Sequence, residues 1–107
     1  MISNPLNEKS LEFAAKTVKF CIGVNQQTKE GIMTKQLIRS STSVGANINE
    51  ANYGISKADF IAKMQIALKE AAESEYWLKL LHKAEYVKEN EIAELIDLCV
   101  QLEKMLT

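Results

Sequence analysis

Hydrophobic residues recur along most of the chain at intervals of three and four positions, the spacing that lines one face of an α-helix. Short segments rich in polar residues or glycine interrupt this pattern, so it predicts four helices, over approximately 5–27, 32–53, 57–87 and 90–106. An alternation of period two, which would indicate strands, does not persist. Four amphipathic helices with short connections predict an all-α fold, an antiparallel up-down-up-down four-helix bundle that occupies 1–107 as one domain.

The third helix has the most regular pattern, with hydrophobic or small residues that alternate by four and three positions as in a helix–helix seam. These positions are Phe60, Met64, Ala67, Ala71, Ser74, Leu78, Leu81 and Glu85. The first helix offers two adjacent stripes. We expect its main buried stripe to comprise Leu11, Ala14, Val18, Cys21 and Ile22, with Phe13, Phe20 and Val24 beside it.

Local signals mark the predicted helix ends. Asn4 followed by Pro5 is typical of an N-cap and the first helical turn. Ser56, with Asp59 three positions later, resembles a capping box at the start of the third helix. We expect Gly54 to adopt the left-handed conformation after the second helix, and Asn90 to cap the fourth.

The chain has more hydrophobic residues than the main stripes use. The additional ones are Phe13, Phe20, Ile66, Trp77, Leu80, Leu98, Val100 and Met105. Two interpretations stay open: broad stripes that close a thick core, or a second apolar face that mediates self-association. Since a bundle of this size encloses only part of such a set, the pattern favours self-association.

The second helix contains a stretch with low helix propensity, including four consecutive hydroxyl residues at 40–43 and Gly45. Close packing against the third helix would explain it. A turn centred near Ile55 places Arg39, the only arginine, beside Glu70 and Glu73. Arginine suits a pair of carboxylates, so we interpret the three as a polar cluster that fixes helix register or an interface. A ligand-binding role and a solvated surface group are the alternatives.

Composition excludes several classes of protein. With 47% hydrophobic residues, 25% charged residues and one proline, the chain is neither disordered nor of low complexity. It has no apolar segment long enough to span a membrane and no export signal at its N-terminus. We therefore expect a cytoplasmic protein in which Cys21 and Cys99 are reduced, buried thiols.

The formal charge of −1 argues against a surface for non-specific nucleic-acid binding. The charge is uneven, however, because the predicted first helix has three lysines against two glutamates, whereas 88–107 has two lysines against five acidic residues. A symmetric oligomer would gather several copies of a weakly basic surface. RNA therefore stays open as a ligand.

Catalytic and metal-binding patterns are missing from the sequence. His82 is the only histidine, so neither a di-iron site nor a zinc site has enough ligands of the usual kinds. Both cysteines lie in apolar stripes, where a reactive thiolate is disfavoured. The serines at 40–43 have no histidine that the predicted register brings near them. We expect no enzymatic activity, no metal and no cofactor.

Several blocks in the second and third helices carry a family resemblance. They are Gln36-Leu37-x-Arg39-Ser40, Gly45-Ala46-Asn47-Ile48-x-Glu50-Ala51, Ala67-x-Lys69-Glu70-Ala71-x-Glu73-Ser74 and Tyr76-Trp77-Leu78. In this order they resemble the 23S rRNA intervening-sequence proteins, a family related to the accessory variability determinants of diversity-generating retroelements. The resemblance covers roughly 11–104. It implies a four-helix bundle that forms a ring-shaped homopentamer without catalytic activity. The retroelement relatives bind a reverse transcriptase and RNA through basic surfaces, which this chain lacks at −1.

The sequence therefore predicts a non-enzymatic, self-assembling bundle that serves as a scaffold or binding module, with another copy of itself as partner. An RNA-binding or reverse-transcriptase-associated accessory protein is the alternative. The predicted structural or interface positions are the polar residues Arg39, Asn47, Glu50, Glu70 and Glu73 and the aromatic residues Tyr76 and Trp77.

Overall fold

The computed structural model describes residues 4–107, which form four α-helices and no strands. The helices are α1 (Pro5–Thr28), α2 (Ile32–Ala51), α3 (Lys57–Lys83) and α4 (Glu89–Leu106). Each helix packs against the next in chain order, and α4 returns to α1 through a less extensive seam. This confirms the all-α four-helix bundle. Within the described residues, no helix has both the length and the apolar character needed to cross a membrane.

Contacts between the helices show that neighbours run in opposite directions. Lys9 near the start of α1 donates to Gln101 near the end of α4 at 2.7 Å, whereas Lys16, further along α1, binds Glu94, which is earlier in α4. The same reversal relates α2 to α3, where Ser40 meets Ser74 and Glu50 meets Lys63. The bundle is elongated, with extents of 44 × 22 × 21 Å.

The core consists of two hydrophobic clusters separated by a layer of buried hydroxyl groups. One cluster contains Phe13, Val44, Ile48, Ala67, Ala71, Leu98, Cys99 and Leu102. The other contains Cys21, Val24, Leu37, Leu78, Leu81, Val87, Ile92 and Leu95. Four fully buried hydroxyl residues lie in sequence between the members of the two clusters: Thr17 in α1, Ser40 and Ser41 in α2, and Ser74 in α3. Small side chains at this level let α2 and α3 approach each other closely, as the hydroxyl-rich stretch predicted.

The buried face of α1 differs from the predicted main stripe. Phe13 is fully buried together with Cys21 and Val24, whereas Leu11 is 72% exposed and Ile22 is 51% exposed. The true stripe also includes the buried hydroxyl residues Ser10 and Thr17. The prediction considered apolar residues alone and therefore placed the buried face of α1 too far toward α2. Phe13 and Leu98, which were predicted to be surplus, belong to the core, and Leu11 and Ile22 form exposed apolar surface instead.

Two of the predicted helix caps are confirmed. The side chain of Asn4 accepts from the backbone N–H of Leu6 at 2.9 Å, with Pro5 in the first turn. The Ser56 hydroxyl accepts from the backbone N–H of Asp59 at 3.0 Å. Asn90 is not an N-cap: α4 begins one residue earlier, and the Glu91 carboxylate accepts from the backbone N–H of Lys88 at 2.8 Å.

Two helices end earlier than predicted. α3 stops at Lys83 rather than near 87, because Glu85 takes a left-handed φ of 70° and the Tyr86 N–H returns to the Leu81 carbonyl at 3.0 Å. α2 stops at Ala51 rather than near 53. Gly54 does not adopt positive φ, contrary to the prediction. Glycine is favoured there by lack of space, since a Cβ atom would lie 3.1 Å from the backbone carbonyl oxygen of Ala51 and 2.9 Å from a carboxylate oxygen of Asp59.

Candidate functional site

An uncharged surface runs along the outside of the bundle between α1 and α2. We call it the α1–α2 face. It is formed by apolar, small and amide side chains: Asn7, Leu11, Ala14, Val18, Ile22, Ile38, Thr42, Gly45, Ala46 and Asn49. None of these ten residues carries a charge, although a quarter of the chain is charged. The described residues form another uncharged concave surface, lined among others by Phe60, Ile61 and Met105, but it does not extend along α2.

The α1–α2 face is concave. A cavity of about 380 Å³ lies at one end, lined mainly by Leu11, Ala14, Thr42 and Ala46. A second cavity of about 390 Å³ lies further along the same two helices, and its lining includes Ile22, Ile38 and one charged residue, Lys35. The two cavities make one groove along two packed helices. A groove of this kind can receive a convex apolar surface.

Small side chains and close packing form the floor of the groove. Gly45 lies against Ser10 of α1, so that a Cβ atom on Gly45 would sit 3.2 Å from the Ser10 hydroxyl oxygen. Thr42 satisfies its hydroxyl within its own helix by donating to the Ile38 carbonyl at 2.7 Å. Small residues and internally bonded hydroxyls thus leave a floor without unsatisfied polar groups.

The structure brings together the predicted polar cluster on the α2–α3 seam. The Arg39 guanidinium binds the Glu70 carboxylate at 2.9 Å and also binds Glu73. The indole N–H of Trp77 donates to Glu73 at 3.0 Å. The hydrogen bond from Trp77 and the bond from Arg39 together hold the pKa of Glu73 below its usual value, against the effect of burial. Arg39 is half exposed, so the cluster lies at the rim of the seam.

Two other predicted polar residues lie outside this cluster. Asn47 is buried and donates to the Ser43 carbonyl of its own helix at 2.8 Å. Glu50 forms an ion pair with Lys63 of α3 at 3.7 Å. Both residues are on α2, but neither contacts Arg39. They stabilise separate points of α2 rather than one polar site.

The two predicted interface aromatics differ in their surroundings. Tyr76 is 58% exposed on the outside of α3. Trp77 is partly buried and packs against one of the two core clusters. Their rings meet edge to face, with centroids 5.2 Å apart. Tyr76 is thus free to contact a partner, whereas Trp77 also belongs to the fold of the single chain.

Neither cysteine has the environment of a nucleophile. Cys21 and Cys99 are buried, free thiols, as predicted. Burial, together with the nearby Glu30 carboxylate, raises the pKa of Cys21 to about 12. Burial also raises the pKa of Cys99, and Glu103 and Glu75 act in the same direction. Both residues therefore stay protonated at neutral pH, which disfavours thiolate chemistry.

Three side chains on α3 and α4 are close enough to be tested as a metal centre. Ligand atoms of Glu75, Cys99 and Glu103 all lie within 4.8 Å of one another. The Cys99 thiol is protonated and donates to the Ala71 carbonyl at 2.9 Å, and the Lys79 ammonium lies 2.6 Å from Glu75. A divalent cation would have to displace both the proton and the ammonium. These residues therefore do not fit a metal centre, and the sequence did not reveal their proximity.

Glu30 is a structural residue that the sequence analysis missed. Its carboxylate accepts from the backbone N–H groups of Ile32, Met33 and Thr34, each at 2.9 Å, and so caps α2 in place of Gly31. In return, the Thr34 hydroxyl donates to the Glu30 carbonyl at 3.0 Å. The pair Glu30 and Thr34 at the start of a predicted helix was the signal that could have revealed this cap.

The fold and its surface thus define an all-α protein with a lateral groove between α1 and α2, in which Lys35 is the one charged residue of the lining. The model of the 23S rRNA-intervening sequence protein family matches residues 4–107, so the chain belongs to this family. It is similar to a solved structure, a protein of unknown function from the S23 ribosomal protein family of Bacteroides thetaiotaomicron. That similarity has 44% identity, covers 94% of each chain and gives a TM-score of 0.92. No curated protein matches the chain. Neither name indicates a catalytic activity.

Proposed function

We propose that this protein is a non-enzymatic, cytoplasmic scaffold or binding module that assembles with copies of itself through the α1–α2 face, as a homopentamer. The observation that carries the proposal is that this groove exposes apolar side chains and has one charged residue, Lys35, in its lining. Exposed apolar surface of this extent on a small domain is typical of an interaction site. The pentamer rests on the family resemblance of the blocks in α2 and α3.

The size of the α1–α2 face supports a stable contact between subunits. From Asn7 to Gln26 the groove follows about 28 Å of α1, at 1.5 Å per residue. Two packed helices are roughly 20 Å wide, which gives a projected area of about 550 Å². That area is about two-thirds of the roughly 800 Å² per partner of a standard interface.

A ring requires a second, different patch on each subunit, because its contacts are head-to-tail. Two concave grooves would not fill each other, so the α1–α2 face needs a convex surface opposite. Tyr76 and Ile66 are exposed on α3, away from the groove. We propose that this part of α3 inserts into the groove of the next subunit, which gives Tyr76 the interface role expected from the sequence.

Charge substitution in the groove tests the proposal. Leu11 and Thr42 are exposed, so Leu11→Lys and Thr42→Lys should leave the fold of the single chain intact. Each would bury a charge in the contact, and buried unpaired charges are strongly destabilising. The matched control is Ala93→Lys, an exposed position on α4. Helix content by circular dichroism should be unchanged in all three variants.

Sedimentation analysis gives the readout. The native chain and Ala93→Lys should sediment at about five times the chain mass of 12.0 kDa, and both groove variants should shift toward 12.0 kDa. A native protein that is monomeric at micromolar concentration would refute self-assembly. Groove variants that assemble like the native chain would exclude the α1–α2 face.

A mixing experiment tests the ring arrangement separately. Leu11→Lys and Tyr76→Glu should each prevent assembly alone, because each damages one of the two patches. Mixed together, they should form a dimer through the one contact in which both patches are intact. No dimer on mixing would indicate that like patches meet.

RNA is the alternative ligand, and the formal charge of −1 argues against it. Ion pairs with glutamates of the same chain involve Lys16, Arg39, Lys63 and Lys79, which are a minority of the thirteen Lys and Arg residues, so the ion pairs alone do not decide against RNA. A gel-shift experiment with structured RNA at low salt decides the question. A salt-sensitive shift would support the accessory-protein function instead, and no shift would eliminate it.

A further inference from the structure

Two carboxylic side chains meet in the seam between α3 and α4. Glu75 projects from α3 and Glu103 from α4, and ligand atoms of the two residues and the Cys99 thiol lie within 4.8 Å of one another. The side chain of Glu75 is only 19% exposed. One carboxyl oxygen of Glu103 is fully buried and receives no hydrogen bond from the described protein atoms. Two half-buried carboxylates this close repel each other unless one of them is protonated.

The charges that face this pair come from two helices. On α3, the Lys79 ammonium binds Glu75 at 2.6 Å. On α4, the Cys99 thiol adjoins the pair but donates to the Ala71 carbonyl of α3. Two lysines of α1 reach α4 but bind other residues there: Lys9 binds Gln101, and Lys16 binds Glu94. Glu75 therefore has a cation partner, and Glu103 lacks one of its own.

This asymmetry decides which carboxyl group keeps a proton. Burial, and then the neighbouring Glu75 carboxylate, raise the pKa of Glu103 to about 7. The hydrogen bond from Glu103 and the ion pair with Lys79 lower the pKa of Glu75. Glu103 is thus the carboxyl group that keeps a proton, and Glu75 is the carboxylate that faces it across the seam.

We propose that Glu75 and Glu103 hold one shared proton at neutral pH, which joins α3 to α4 and makes this seam sensitive to pH. When the proton is lost at alkaline pH, two negative charges face each other in a half-buried site. The α3–α4 seam is then weakened, while the α1–α2 face is unaffected.

Infrared spectroscopy can detect the proton directly. At about pH 6.5, where ordinary carboxyl groups are ionised, the native protein should show the C=O stretch of one protonated carboxyl group. The band should disappear in Glu103→Gln and persist in Glu89→Gln, which removes an exposed carboxylate from the same helix. A native spectrum without this band would refute the shared proton.

Stability measurements test the consequence of losing the proton. From pH 5.5 to pH 8.5, the unfolding constant of the native protein should rise relative to that of Glu103→Gln on the order of tenfold, since only the native seam must ionise. Glu89→Gln should follow the native protein. Equal pH dependence of the native protein and Glu103→Gln would overturn the proposal. Stabilisation by stoichiometric Zn²⁺ that requires Cys99 would also overturn it, because the seam would then be a metal site.

Discussion

Replacement of Glu30 offers a sharp test of how the structure explains α2. This helix has poor intrinsic propensity, and its first residues depend on one carboxylate that accepts three backbone N–H groups at 2.9 Å. Glu30 is only 8% exposed, so water does not readily replace it. In Glu30→Gln, one oxygen remains as an acceptor and the amide NH₂ meets an N–H group that it cannot accept from. The substitution therefore removes charge and acceptors while it preserves shape.

The expected cost follows from the bonds that are lost. An ordinary N-cap contributes about 1 kcal/mol, and hydrogen bonds to a charged group contribute about 1.5–3 kcal/mol. Since Gln retains part of the cap, we expect Glu30→Gln to lower the free energy of unfolding by about 2 kcal/mol at pH 7. That loss is a large fraction of the roughly 5–15 kcal/mol of a typical domain.

The same cap should be visible in the pH dependence of stability. Burial alone would raise the pKa of Glu30, but the hydrogen bonds from Met33, Thr34 and Ile32 outweigh it and hold the pKa below the usual 4.5. The folded carboxylate therefore stabilises the protein above about pH 4.5, and this contribution disappears as the pH falls through the folded pKa. The difference between native protein and Glu30→Gln should shrink between pH 5 and pH 3.

Urea unfolding at one protein concentration, followed by circular dichroism, measures both effects. Glu85→Gln is the matched control, because Glu85 is an exposed carboxylate in the connection that follows α3. It should change stability by less than about 0.5 kcal/mol. A Glu30→Gln effect as small as that of the control, or one that is unchanged at pH 3, would refute the capping role.

Two further predictions concern packing. Gly23→Ala should stabilise the protein by about 0.5–1 kcal/mol, because no atom lies within 4 Å of the added methyl group. Gly45→Ala should gain little stability, because its methyl group would press on Ser10. Equal shifts of the two variants in thermal unfolding would contradict this. Ser40 and Ser74 bond at 2.8 Å in the buried layer, so their Ala variants should show a coupling energy of about 1 kcal/mol in a double-mutant cycle, and additive losses would exclude it.

The sequence predicted the α2–α3 seam well because one short turn sets its register. With the turn near Ile55, only a small range of pairings is possible, and the unique Arg39 has two acidic residues within reach. The contacts with Glu70 and Glu73 follow from that geometry. Whether the cluster also serves an interface is a separate prediction that the assembly experiments address.

The sequence predicted α1 poorly because hydrophobicity is an incomplete guide to burial. Ser10 and Thr17 are buried, and Ser10 satisfies its hydroxyl at the Asn7 carbonyl at 3.0 Å. A buried hydroxyl bonded within its own helix has no signature in a hydrophobic pattern. Leu11 and Ile22 were therefore assigned to the core, and the α1–α2 face could not be located before the structure was known.

The Glu75–Glu103 pair could not be predicted from the sequence, for a different reason. The two residues lie on separate helices, and their meeting depends on how the connection at 84–88 sets α4 against α3. That connection turns on the left-handed Glu85, a conformation that the sequence does not announce in a residue other than glycine. A shift of one residue in this register would move Glu103 away from Glu75.

The unusual composition of α2 follows from its position between two surfaces. Its inner side approaches α3 closely enough for Ser40 and Ser74 to bond directly, which larger side chains would prevent. Its outer side forms half of the groove, where Thr42 and Gly45 keep the floor low. A helix that needs small side chains on both sides has low intrinsic helix propensity, so a strong cap at Glu30 is needed to stabilise its first turn. The low-propensity stretch, the cap and the small side chains at the floor of the groove are therefore consequences of one requirement.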